Sequence, residues 1–177
     1  MRRLAALVRA GGLLGSCVLL PLQILVGVAY VVGRQLFTIQ LTPLQELEWH
    51  LFFAAVFLCL GAAYLADRHV RIDVVRERFA PRTRAKVEIA GFFLALLPFC
   101  VAMIYFGTEA ALAAFAGGER SRAGLGLSHR WIIKSFVPVG GMLLLTAGLV
   151  VTTRAWRGLK AGESSPVADD PGRGHDT

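Results

Sequence analysis

Charged side chains are missing from four long stretches of this sequence, Ala10 to Gly33, Trp49 to Ala66, Ile89 to Thr108 and Ser135 to Thr153. An ion or organic-acid pathway usually places ionisable groups or broken helices near the middle of a membrane. No Asp, Glu, Lys, Arg or His is expected deep in any of the four, so the chain alone is a poor carrier. Cysteine is scarce as well: Cys17, Cys59 and Cys100 fall singly in three different stretches with no C-x-x-C. Neither a redox pair nor a thiolate metal site is visible in that pattern, and the three read as small packing residues. No nucleophile sits at a recognisable spacing from a base, and no glycine-rich phosphate loop precedes a helix, so an enzyme is not expected. Internal repeats are absent too.

What is present is apolar length. The four stretches run to 24, 18, 20 and 19 residues, and at about 1.5 Å rise per residue each reaches or nearly reaches across a hydrocarbon core of about 30 Å. A mean hydropathy of +0.59 with 55% apolar residues agrees. Backbone groups in lipid must satisfy one another, which favours helices. The expected fold is all-α, an integral membrane four-helix bundle over residues 1–160, with a disordered tail over 161–177. Leu14-Gly15-Ser16-Cys17 after a basic start looks like a lipoprotein cleavage site, but the apolar run continues to Gly33, so a retained helix is expected.

The basic residues give the orientation. Arg2, Arg3 and Arg9 precede the first stretch, seven more lie between Arg68 and Lys86, and Arg154, Arg157, Lys160 and Arg173 follow the last. The two other connections hold only Arg34, Arg120, Arg122, Arg130 and Lys134. Lys and Arg accumulate on the cytoplasmic side, so both termini are expected there. The net charge of +7 then needs no nucleic acid, because anionic headgroups account for it. Between the second and third stretches, His69 to Phe79 sets Val70 and Val74, with Ile72, Val75 and Phe79 slightly offset, near one helical face. A short interfacial amphipathic helix ending near Pro81 is expected there, with a solvated loop as the alternative.

Inside the stretches, Gln23 and Thr146 are the deeper polar side chains, suited to hydrogen bonds with a neighbouring helix. Pro21, Pro98 and Pro138 are candidates for kinks, and Gly11/Gly15, Ala62/Ala66 and Gly141/Gly148 for close helix approach. A haem reading is disfavoured, since His50 and His69 are separated by about 28 Å at helical rise. His50 and His129 share one side and stay open as a pair. No cofactor is expected.

Charge gathers at the membrane edges. Glu46 and Glu48 precede Trp49 and His50, while Glu119, Arg120 and Ser121 lead to Arg130, Trp131 and Lys134. The tryptophans suit interfacial anchoring, and Glu46, Glu48, Arg130 and Lys134 share the outer side, where ionic pairing within the bundle or with another protein is available. In these segments the sequence resembles the small membrane subunit, the DctQ-like component, of tripartite ATP-independent periplasmic (TRAP) transporters. The resemblance rests on Leu44-Gln45-Glu46-Leu47-Glu48-Trp49-His50-Leu51-Phe52, on His69-Val70-Arg71-Ile72-Asp73, and on the ordered pair Glu119-Arg120-Ser121 and Arg130-Trp131-Ile132-Ile133-Lys134. The sequence departs from it at Gly124-Leu125-Gly126-Leu127-Ser128, where relatives tend to carry Gly-Gly-Leu-Pro.

The resemblance implies a bacterial inner-membrane scaffold subunit. Its partners would be a large multi-span permease and a periplasmic binding protein that captures an organic acid, with uptake driven by an ion gradient. Membrane-edge residues Glu46, Glu48, Trp49, His69, Arg71, Asp73, Glu119, Arg120, Ser121, Arg130, Trp131 and Lys134 are the candidates for partner contact. A self-contained homo-oligomeric transporter and a four-helix haem protein are the alternatives.

Overall fold

The computed structural model describes residues 1–37, 42–66, 80–121 and 126–161. The expected amphipathic helix over 69–79 and the tail beyond residue 161 lie outside the described residues. We label the helices α1 (Arg2–Leu13), α2 (Leu20–Phe37), α3 (Thr42–Leu65), α4 (Pro81–Gly91), α5 (Leu97–Ala116) and α6 (Trp131–Ala161). Single π-helical turns, Leu14–Leu19 and Phe92–Leu96, join α1 to α2 and α4 to α5. The result is four helical runs long and apolar enough to cross a membrane: Arg2–Leu36, Thr42–Leu65, Arg82–Ala116 and Trp131–Lys160.

Proline explains the two π turns. Leu20 N–H donates to the Gly15 carbonyl and Leu97 N–H to the Phe92 carbonyl, each five residues back. Pro21 and Pro98 follow immediately. A proline ring clashes with the carbonyl four residues earlier and offers no N–H, so the turn before it widens. Pro138 behaves differently and lies inside the uninterrupted α6. Pro81 occupies the first position of α4, where its missing N–H costs nothing.

The helical runs extend beyond the apolar stretches. The first begins at Arg2 rather than Ala10, because Ala5, Val8 and Gly12 recur at helical spacing and bury one face of α1. Val8 meets Leu58 of α3 and Leu143 and Ala147 of α6 in the core.

α6 is the spine. Half of its apolar window is buried, against 11%, 22% and 11% for the first, second and third runs. It packs on α3 along one side and on α4 and α5 along the other, while the second and third runs share no extended contact among the described residues. The first run packs along α3 and, among the described residues, meets α6 mainly through α1.

Glycines permit these close approaches. A Cβ on Gly61 would lie 2.7 Å from the Leu143 carbonyl oxygen, and one on Gly140 would lie 2.8 Å from Phe57. Gly107 opposes Pro138 at 2.8 Å, and Gly148 opposes Leu96 at 2.6 Å. Gly15 and Gly12 bring α1 and its π turn against Cys59 and Ala62 of α3. Of the cysteines, Cys100 is buried, Cys59 is half-buried with its thiol 3.6 Å from the Gly12 carbonyl, and Cys17 is exposed. The packing role therefore holds for the first two.

Candidate functional site

At the end of the bundle opposite Arg2 and Lys160, α5 stops in a way that aims Glu119 at α6. Gly118 adopts a left-handed conformation with φ of 57°. Its N–H donates to the Phe115 carbonyl, and the Glu119 N–H donates to the Ala114 carbonyl. This is a Schellman cap, in which a residue without Cβ turns the chain at low cost.

The chain then returns on itself. Ser121 N–H donates to the Leu127 carbonyl at 3.1 Å, and Arg130 N–H to the Glu119 carbonyl at 3.3 Å. Two rungs thus tie 119–121 to 127–130 at the mouth of α6.

Two carboxylates fix this loop. Glu46, one turn into α3, accepts hydrogen bonds from the Ser121 hydroxyl and, at 2.7 Å, from the Leu127 N–H. One side chain from the second run therefore clamps both strands of the returning loop. Glu119 pairs with Lys134 and has Arg130 Nε at 3.9 Å. These groups are about one third exposed, so the ion pairs order the edge more than they stabilise the fold. Trp131 stacks edge-on against Phe115 at 5.5 Å. Arg120 is exposed and, with Phe115, Ser121, His129 and Trp131, lines a polar cavity of about 600 Å³.

The sequence-predicted residues thus divide. Glu46, Ser121, Glu119, Arg130, Trp131 and Lys134 come together at this edge, with Arg120 on its surface. His69, Arg71 and Asp73 lie outside the described residues. Trp49 is 68% exposed and faces away from the bundle.

Glu48 departs from its position in the sequence. It precedes the second apolar stretch, yet its carboxylate rests against α2, where a Cβ on Gly27 would lie 2.9 Å from Oε1. Gln23 Nε2 donates to that oxygen at 3.4 Å. Gln23 thus bonds to a neighbouring helix as expected, whereas Thr146 turns its hydroxyl to the Met142 carbonyl of its own helix.

Sequence reasoning missed Gly27, Gly118, the Leu127 amide and the Tyr30 hydroxyl, which donates to Gln45 Oε1 at 3.4 Å. The signal for Gly118 was legible, since Gly117-Gly118 directly follows an apolar helix. That for Gly27 lay in its spacing of four from Gln23.

His50 Nδ1 lies 2.5 Å from the Glu46 carbonyl, to which it donates, and His129 Nδ1 lies 2.9 Å from the Ser128 hydroxyl. Both rings are engaged locally. Among the described residues no group of three or more His, Cys, Asp or Glu side chains is placed to hold a metal ion.

The arrangement is a braced polar rim on a bundle of apolar helices. No curated protein matches the chain significantly. A family model does: that of tripartite ATP-independent periplasmic transporters, DctQ component, over residues 23–158. The match takes in all of α3 to α5, nearly all of α6 and the whole rim. On that extent, the chain belongs to the DctQ family and is a multi-pass inner-membrane component of a TRAP transporter.

Proposed function

We propose that this small permease subunit is a scaffold. It would support uptake of an organic acid, driven by an ion gradient, through a large permease supplied by a periplasmic binding protein. The observation that carries the reading is the family match across 23–158. Two features support it. The glycine contacts on α6 are spent inside the chain, which leaves the outward faces of the first and third runs for a larger neighbour. The basic residues favour placing both termini in the cytoplasm, which puts the braced rim on the periplasmic side. There the rim, and Arg130 and Lys134 in particular, would help receive the partners. A bundle held by basic inner loops and outer tryptophans resists tilting while a mobile neighbour slides.

The test is to tag the chain at its native locus, solubilise membranes gently and identify co-purifying proteins by mass spectrometry. A large multi-span permease is expected. Recovery of the chain alone as a stable homo-oligomer would overturn the scaffold reading. For the rim, a double replacement of Arg130 and Lys134 is expected to leave insertion intact and to reduce permease recovery or uptake. Normal values of both would remove these residues from the interface.

A further inference from the structure

Glu48 is a carboxylate packed against the first apolar stretch with too few polar partners. Gly27, on which it rests, lies six residues inside the outer end of the first apolar stretch, about 9 Å down at helical rise. Among the described residues its single polar partner is Gln23 Nε2, and at 3.4 Å that bond is long. Only Oε1 is engaged. The nearest cation along the same face of α2 is Arg34, two turns higher, whose guanidinium is held over the Tyr30 ring at 5.9 Å.

An ionised side chain in lipid is costly unless paired, and those that persist face a protein partner or a cavity. Glu48 is half-buried, and Phe52, one turn deeper on the same helix, is 50% exposed. The carboxylate therefore sits in a seam that opens away from this bundle. Gly27 provides its berth, because any side chain there would displace it.

We infer that Glu48 is an intramembrane docking point for a helix of the large permease that carries a cationic donor, Arg or Lys, aimed at the free Oε2. This rests on the scaffold reading above. A cation is favoured over an amide because it neutralises the charge as well as filling the second oxygen, and a guanidinium engages both oxygens in one plane. A pair at this depth is shielded from salt, unlike the rim ion pairs.

The experiment compares the native-locus chain with Glu48→Leu and Glu48→Gln, measuring inserted chain in membranes and permease recovered per chain in mild detergent at 0.1 and about 1 M salt. Leucine suits a lipid-facing helix, so insertion is expected to persist while permease recovery falls about tenfold or more. Glutamine keeps the shape without the charge and is expected to lose several-fold, with little dependence on salt. Wild-type recovery from either variant overturns the inference and leaves the scaffold reading standing.

Failure of the unmodified chain to recover permease overturns both. Should Glu48→Leu fail to insert, a photoreactive residue replacing Phe52 in a chain that retains Glu48 decides the matter. An adduct with the permease is expected, and an adduct with lipid alone or with a second copy of the chain refutes the proposal.

Discussion

Two helical glycines of this chain are expected to respond to the same substitution with opposite sign. At Gly61 an added Cβ meets the Leu143 carbonyl oxygen at 2.7 Å, about 0.7 Å short of the 3.4 Å at which ordinary contact begins. The obstacle is backbone, so relief requires α3 and α6 to move apart. A buried leucine such as Leu143 makes about 40 atom contacts worth about 0.15 kcal/mol each, and opening a seam by 0.5 to 1 Å forfeits a quarter to a half of that. The loss is about 1.5 to 3 kcal/mol. Replacing glycine by alanine in a helix returns about 0.5 to 1 kcal/mol, which leaves Gly61→Ala destabilised by about 0.5 to 2.5 kcal/mol.

Gly91 has nothing within 4 Å of the corresponding position. Gly91→Ala therefore keeps the helix gain, about 0.5 to 1 kcal/mol. Apparent Tm values of the purified chain in one mild detergent, followed by tryptophan fluorescence, provide the comparison. For a chain of this size about 1 kcal/mol corresponds to about 2 to 4 °C, so Gly61→Ala should melt several degrees below the unmodified chain and Gly91→Ala slightly above it. Equal Tm values for the two variants would refute the assignment of α6 as the packed spine.

The rim makes three further predictions. Gly118→Ala forces a side chain into a left-handed φ and should cost about 1 to 2 kcal/mol, seen as faster amide exchange at Glu119. Glu46→Ala removes two charge-assisted hydrogen bonds, which at a half-exposed site contribute about 1 to 2 kcal/mol together. Exchange at the Leu127 amide should rise about tenfold while amides in the core of α6 stay protected. Glu119→Gln deletes partly exposed ion pairs and should lower stability by less than about 1 kcal/mol. Its difference from the unmodified chain should shrink in high salt, and a persistent difference would mean the pairs are more than surface contacts.

The four spans were legible because lipid imposes one demand, an uncharged helix of sufficient length, that composition reports directly. The starts of the helices were less so: the amphipathic face of Ala5, Val8 and Gly12 is covered by α3 and α6, which no local window contains. Pro21 and Pro98 announced irregular turns, yet Pro138 gave no such break inside α6. Small-residue spacing found Gly15 and Gly148 but passed over Gly61, Gly107 and Gly140, whose partners are backbone or large side chains on distant helices.

At the rim the charged residues were legible as a group, and their pairing was not. That Glu46 clamps Ser121 and the Leu127 amide depends on a register between α3 and a loop some 80 residues later. Glu48 was read as a membrane-edge residue from its sequence neighbours, and its contact with Gly27 and Gln23 was not legible because it depends on the packing of α2 on α3.

The central place of α6 dictates the timetable of biosynthesis. The first two runs pack on each other directly, a contact that is available before α6 is made. Among the described residues the third shares no extended contact with that pair, so its packing within this chain waits until most of Trp131–Ala161 has been made. Completion of the bundle is thereby postponed until α6 has been made, and a nascent chain that stops before α6 leaves the third run without its packing partner.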